Sequence, residues 1–444
     1  MARSRNVNEI FETIKHHHNI KFNLKEEQIK IIESVIDGKD TFCLLKTGFG
    51  KSVCFMIPPL ILDQMYPDDK HTALVVSPLK ALMLDQQNLC KEHNIKSVAI
   101  MGGTDIDLSD MTDSAVVFAS PEAIMLRKWS SLLKKFQKRI CLQVYDEAHC
   151  ISSWGLDFRP DYRRVSELQS LIDAPTLAMT ATATKKIQED IYAVLSLSEK
   201  TEVISSLPDR PNIFLQMTTD CKEIYREELA WIVDMVKSKK VVTKKTIIYV
   251  RSLNVCYEMY IWMCISLGLD AFANEKTVEN RLIEMFHANT DEASKTRLLE
   301  TFISVNSKIR VLISTVAFGM GVNVPDVEII VHWGLPPTAL SYWQETGRCG
   351  RDGRPSYAIC YAYKRSVTKC EDDLLKETSE NNECTRYCIL KSFLLDGMKK
   401  NVLEEIRKKK ECDKKCAELC RCDFCMCCNS FDFLQMSEQN QAPS

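Results

Sequence analysis

Three stretches of this 444-residue chain have residue types and spacings suited to chemistry. LLKTGFGKSVCF at 44–55 places Thr47, Gly48, Phe49, Gly50, Lys51 and Ser52 in a glycine-punctuated run between an apolar strand pattern and an apolar helical one. Such a loop binds phosphates: its glycines let backbone N–H groups curl around the oxygens, Lys51 reaches the β/γ oxygens, and Ser52 holds Mg²⁺. The strict pattern has a glycine where this chain has Leu45. ICLQVYDEAHC at 140–150 ends a strand pattern in Asp146 and Glu147, one acid to hold the Mg²⁺ shell and one to polarise an attacking water. CDKKCAELCRCDFCMCC at 412–428 packs seven cysteines into seventeen residues. Within it Cys422 and Cys425 stand at CxxC spacing, which lets one tight turn offer both thiolates to a tetrahedral Zn²⁺.

The elements that must position these groups are legible as alternation. Short runs rich in Val, Ile and Thr recur at 41–45, 73–77, 114–120, 140–145 and 176–180, separated by longer helical patterns. A second series follows at 246–250, 309–314, 328–333 and 356–363. Strands alternating with helical crossovers predict parallel sheets, hence an α/β fold of two tandem domains. SLPDRPNI at 206–213 carries two prolines and turn-forming residues and marks the boundary. The expected division is 1–207, 208–370, a small helical zinc-binding subdomain over 371–428, and a tail at 429–444. In open α/β sheets ligands bind at the carboxyl ends of strands, so Asp146 and Glu147 are expected beside the phosphate loop.

Asp-Glu-Ala-His after GKS resembles the superfamily 2 helicases, and further segments narrow the likeness to RecQ-type DNA helicases. AHCISSWGLDFRPDYRRV at 148–165 looks like their aromatic-rich loop, AMTATAT at 178–184 like the segment linking hydrolysis to nucleic acid, and DRPNI like their inter-lobe junction. STVAFGMGVNVPDV at 314–327 and QETGRCGRDG at 344–353 match the fifth and sixth motifs. The resemblance covers roughly 24 to 425 and implies two RecA-like lobes hydrolysing ATP with Mg²⁺ while moving 3′ to 5′ along single-stranded DNA, opening tailed duplexes in repair or recombination. It assigns Gln28 to the adenine, and Arg351, supported by Arg348 and Gln344, to the γ-phosphate, where such an arginine can raise the rate by ~10³–10⁵. Ser77, Ser120 and Thr182 are expected on the strand backbone. Trp154, Phe158 and Arg159 offer stacking and cation–π surfaces, since Gly155 and Pro160 break any helix there. The chain departs from the family at Ser153 and Leu156 in the aromatic-rich loop, at Lys25 near the adenine and at Val324, so weak DNA stimulation is expected. An RNA helicase and a catalytically weak nucleic-acid-binding scaffold are the alternative readings.

The same resemblance names Cys384, in NECTRYCILKSF, as the first zinc ligand, with Arg386 beside it. Cys422 and Cys425 close the site, and Cys416 ranks ahead of Cys420 as the remaining ligand because Cys420 is so near Cys422 in sequence. Four thiolates leave no open position, so the zinc would be structural. Nothing at the amino end reads as a signal peptide and no apolar run approaches the ~18 residues of a membrane span, so the protein is expected inside the cell, in the nucleus, with no membrane partner. There metal binding suits clustered cysteines better than disulfides do. Net charge is −2, so a polyanion site must come from local patches. His16, His17 and His18 read as a solvated run, and RKKK at 407–410 as a solvated helix face. No winged-helix module is expected from the residues after 428, so translocation is a firmer expectation than efficient unwinding.

Overall fold

A computed structural model describes residues 7–403 except 47, 102–106, 154–163, 170, 220, 288, 305, 316–323, 325, 381–384 and 399–402. The described residues form two compact units: one holds those up to Pro208 and a return segment beginning at Phe393, the other Asp209–Ser392. No described helix is long and apolar enough to cross a membrane.

The first unit is built on a seven-stranded sheet of β1 (Thr41–Leu44), β2 (Thr72–Val76), β3 (Ser97–Ile100), β4 (Val116–Ala119), β5 (Ile140–Tyr145), β6 (Thr176–Thr180) and β7 (Glu202–Ser205). Their order is β3-β4-β2-β5-β6-β1-β7 and every neighbouring pair is parallel. The central strands are buried on both faces, which explains why they read as unbroken apolar runs. The helix Val53–Met65 is apolar all round, and its residues from Val53 to Ile61 are buried. A helix of that kind needs cover on every side. It packs with the sheet and with Val7, Phe11 and Ile14 of the helix Val7–His17 in one core.

The second unit has a six-stranded sheet of β8 (Ile213–Thr218), β9 (Thr246–Val250), β10 (Ile283–Phe286), β11 (Val311–Ser314), β12 (Ile329–Trp333) and β13 (Ser356–Tyr361), ordered β10-β11-β9-β12-β13-β8 and again all parallel. Its core joins Ile248, Ile313, Val331 and Ile359 to Met259 and Met263 of the helix Leu253–Leu267. Val324 is buried, and Ser153 belongs to the short helix Cys150–Ser153; Leu156 lies outside the described residues.

Candidate active site

The carboxyl ends of five strands of the first sheet lie in one row. Leu44 is level with Thr180, Tyr145 with Ala178, and Val76 with both Tyr145 and Ala119. The loop after Leu44, Asp146 after Tyr145, Ser77 after Val76 and Ser120 after Ala119 therefore emerge at the same end of the sheet.

Gly48 and Gly50 have φ of 78° and 88°, in the left-handed region that glycine enters without strain. The turn closes with Phe49 N donating to Lys46 O at 3.2 Å and Val53 N donating to Gly50 O at 3.2 Å. Ser52 precedes the helix Val53–Met65, and Lys51 Nζ donates to Leu45 O at 3.4 Å. Thr47 lies outside the described residues. Gln28 is buried against this loop: its Nε2 donates to Phe49 O at 3.2 Å and Gly50 O at 3.0 Å, while its Oε1 accepts from Lys25 N at 2.9 Å. A Cβ at position 50 would sit 2.9 Å from Gln28 Nε2, so the brace needs glycine there as well. Lys25 adds a second support, donating from Nζ to Phe49 O at 2.8 Å with its ammonium 4.2 Å from the Phe49 ring centroid.

Asp146 is buried, accepting from Gln86 Nε2 at 2.7 Å and from Glu147 N at 3.0 Å. Burial and the Glu147 carboxylate raise its pKa from 3.8 to about 6, against the opposing pull of the Lys51 ammonium and the Gln86 amide. Glu147 has φ of 48° and a side chain 27% exposed, so the backbone turns the second acid outward while the first stays in. His149 Nδ1 lies 3.2 Å from Glu147 Oε2 and 3.0 Å from Thr180 Oγ1. Burial disfavours its charge, but the neighbouring Cys150 sulfur and Glu147 carboxylate outweigh that and hold it above the usual histidine range. Thr180 Oγ1 in turn donates to Thr182 O at 2.9 Å and accepts from Thr182 N at 3.2 Å. The acids are thus tied through His149 to the segment carrying Thr182. A second tie runs through Gln86 to the helix Lys80–Glu92, which follows Ser77. Ser77 Oγ and Gln86 Oε1 are buried without a hydrogen-bond partner among the described residues, and Ser120 Oγ accepts from Ala123 N at 3.3 Å, capping the helix Pro121–Ile124. Trp154, Phe158 and Arg159 lie outside the described residues.

In the second unit Gln344 ends up near the close of the helix Ala339–Thr346, followed by a turn bearing Arg348 and Arg351, both half-buried. The turn is held from the start of the unit. Arg210 donates to Gly347 O, Cys349 O and Gly350 O at 3.2, 3.1 and 2.7 Å, and Asn212 Nδ2 donates to Gly350 O and Arg354 O at 2.8 and 2.9 Å. Gly350 has φ of 60°, and a Cβ there would lie 2.5 Å from Asn212 Nδ2. Beneath the helix, buried Glu345 lies 3.4 Å from Arg251 NH2 and 2.9 Å from His332 Nε2. Burial holds His332 below its ordinary range, and Arg251, with His332 and Arg348, holds Glu345 ionised despite its burial. Arg210 and Asn212 lie within DRPNI and Glu345 within QETGRCGRDG, yet those motifs do not reveal their supporting contacts, and Arg251 and Gln86 act in the same way, because each works across the fold rather than along the chain.

Cys384, Cys416, Cys420, Cys422 and Cys425 lie outside the described residues, and among the described residues no group of three or more His, Cys, Asp or Glu side chains is placed to hold a metal. Arg386 is described and fully buried, donating to Asp209 Oδ1 at 2.6 Å and Arg210 O at 3.0 Å. It therefore anchors the helix Thr385–Lys391 to the segment that clamps the arginine turn.

Residues 25–190 match the DEAD/DEAH box helicase family, and 227–353 match the helicase conserved C-terminal domain. A protein of Acanthamoeba polyphaga mimivirus named as an ATP-dependent RNA helicase is 34% identical over 91% of this chain and 70% of its own length. The ATP-dependent DNA helicase RecQ of Haemophilus influenzae is 30% identical over 84% of this chain and 59% of its own length. The chain thus spans over two thirds of one of these relatives and less than two thirds of the other. Among solved structures, Mycobacterium smegmatis helicase Lhr bound to single-stranded DNA and AMP-PNP superposes with a TM-score of 0.58 at 17% identity, over 85% of this chain and 50% of that one. That likeness bears out the fold of two parallel α/β sheets, which the two helicase family matches identify as RecA-like lobes.

Proposed function

From the premise that the chain belongs to the RecQ family of ATP-dependent helicases, we propose that it hydrolyses ATP to move 3′ to 5′ along single-stranded DNA and to open tailed duplexes. The observation that carries the reading is the pairing at the strand ends of the first unit: a buried acid held by Gln86, and beside it an outward acid at a positive φ, both level with the phosphate loop. The donor set fits ATP and Mg²⁺. Ser52 and Asp146 would hold the metal, which supplies charge neutralisation when bound, and the loop N–H groups and Lys51 would hold the phosphates. In this reading Glu147 takes a proton from the attacking water, a role supported by His149 Nδ1 lying 3.2 Å from its Oε2, where it would keep the carboxylate oriented. Arg351 and Arg348, braced by Arg210 and Asn212, are proposed to stabilise the charge that develops on the γ-phosphoryl group.

The ties through His149 to Thr182 and through Gln86 to the helix after Ser77 support a role for those segments in linking hydrolysis to grip on the strand. Trp154, Phe158, Arg159, Ser77, Ser120 and Thr182 are the proposed strand contacts, and Gln28 the proposed adenine contact. A structural zinc held by Cys384, Cys422, Cys425 and either Cys416 or Cys420 is proposed on the cysteine spacing and the family resemblance. The nucleus and DNA repair or recombination are the proposed setting.

The deciding experiment measures ATP hydrolysis with and without single-stranded DNA, and unwinding of 3′- and 5′-tailed duplexes, for the wild type and Lys51→Ala. Turnover that needs Lys51, with opening of the 3′-tailed substrate, is expected. Opening of the 5′-tailed substrate alone would refute the polarity, and stimulation by RNA alone would favour the RNA helicase reading.

A further inference from the structure

The segment RKWSSLLKKFQKR, residues 127–139, has six cations and no acid in a chain whose net charge is −2. Its helix, Arg127–Phe136, buries Trp129, Leu133 and Phe136 in the first unit, an i, i+4, i+7 stripe that commits the apolar face to the core. Arg127, Lys128, Lys134, Lys135 and Lys138 are exposed. Among the described residues no carboxylate pairs with Arg127, Lys134, Lys135 or Lys138, while acids elsewhere in this unit have partners, Asp63 with Lys70 and His71, and Asp113 with Lys96. Those pairs line a cavity of about 650 Å³ that Arg139 also borders, so the cavity is close to charge-balanced and the helix beside it is not.

Position gives the strip its meaning. The segment begins shortly after Ser120 at the carboxyl end of β4 and ends at Arg139, directly before Ile140 at the amino end of β5. It therefore runs the length of the sheet, away from the end that carries Asp146 and the phosphate loop. Ten helical residues span ~15 Å, or about four base steps at 3.4 Å each. We propose that this strip is a second nucleic-acid contact that follows a phosphate backbone along the outside of the first unit, separate from the strand contacts proposed above. A lipid surface is disfavoured because the apolar residues that would enter it are already buried. The choice of nucleic acid as the polyanion rests on the functional reading; the unpaired cations do not.

The test uses the full chain with Lys134, Lys135 and Lys138 all changed to Gln, residues outside the hydrolytic site. Binding of labelled single-stranded and duplex oligonucleotides is followed between about 50 and 200 mM salt. Removing three phosphate contacts should lower the slope of log affinity against log salt by about 2 to 3, with nucleic-acid-free ATP hydrolysis and melting temperature unchanged. An unchanged slope in a variant that folds, alongside a wild type that binds, overturns the strip and leaves the functional reading intact. A wild type that binds no oligonucleotide, or that captures anionic phospholipid vesicles in its place, overturns the strip and, in the first case, the functional reading with it.

Discussion

Asp146 and Glu147 are adjacent in sequence and opposite in environment. The positive φ at Glu147 sends one carboxylate outward, and burial of the other costs stability whenever it is ionised. A carboxyl whose pKa is about 6 when folded and 3.8 when unfolded binds protons more tightly in the folded state. Its favourable contribution is present in full below pH ~4 and lost as pH rises through ~6. Ionised Asp146 is thus a net cost to the ligand-free protein at neutral pH. Asp146→Asn should abolish hydrolysis yet raise the melting temperature of ligand-free protein by several degrees at pH 7.5, with the gain vanishing towards pH 4. The geometry allows this because Gln86 Oε1, buried and without a partner among the described residues, can turn to accept from the new amide. A lower melting temperature at pH 7.5 would show that the charge is compensated in a way the fold does not reveal. The motif made both acids legible in the sequence. Gln86 was not legible as their support, since its hydrogen bond crosses 60 residues.

At the scale of elements, the nine apolar runs read from the sequence are the interior strands, and the four that were not read, β3, β7, β8 and β10, are the four sheet edges. The physical reason is burial. Interior parallel strands are covered on both faces and spell continuous hydrophobic runs, whereas β7 and β8 keep exposed residues, Glu202 and Gln216 among them. β8 also starts inside the segment that reads as a domain junction. The chain there has two duties, since Arg210 and Asn212, just ahead of β8 and at its threshold, clamp the turn bearing Arg348 and Arg351. Burial lowers the Arg210 pKa without discharging it, so its five donors remain available to the carbonyls it caps. Arg210→Met leaves three turn carbonyls without those donors, and a displacement near 1 Å at a catalytic group can cost ~10²-fold in rate. Steady-state kinetics should show kcat reduced at least about tenfold with the KM for ATP little changed, because the phosphate loop is in the other unit. A rise in KM at constant kcat would assign Arg210 to nucleotide binding and not to the turn.

On the scale of the whole molecule the chain does not divide cleanly in sequence order. After 392 it returns to the first unit, where Gln188 and Asp396 exchange two hydrogen bonds of 3.2 and 3.1 Å and Lys185 lies 3.2 Å from the Asp396 carboxylate. Gly397 there has φ of 93° and so little room that a Cβ would sit 3.0 Å from Val203. Nothing in the composition of 393–398 marks it as part of the first unit; only the fold brings it against the helix Lys185–Val194 and β7, an edge strand with no strand on its outer side among the described residues. The return segment therefore acts as cover for that edge. Truncation after Ser392 should strip amide hydrogen-exchange protection from Lys185–Val194 and Glu202–Ser205 while sparing the interior strands β2 and β5, since local stability follows local burial. Truncation after Leu403, which keeps the return segment and removes the cysteine-rich residues, should leave that protection in place. Equal loss from both truncations would mean that the residues beyond 403, and not the return segment, secure this edge of the first unit.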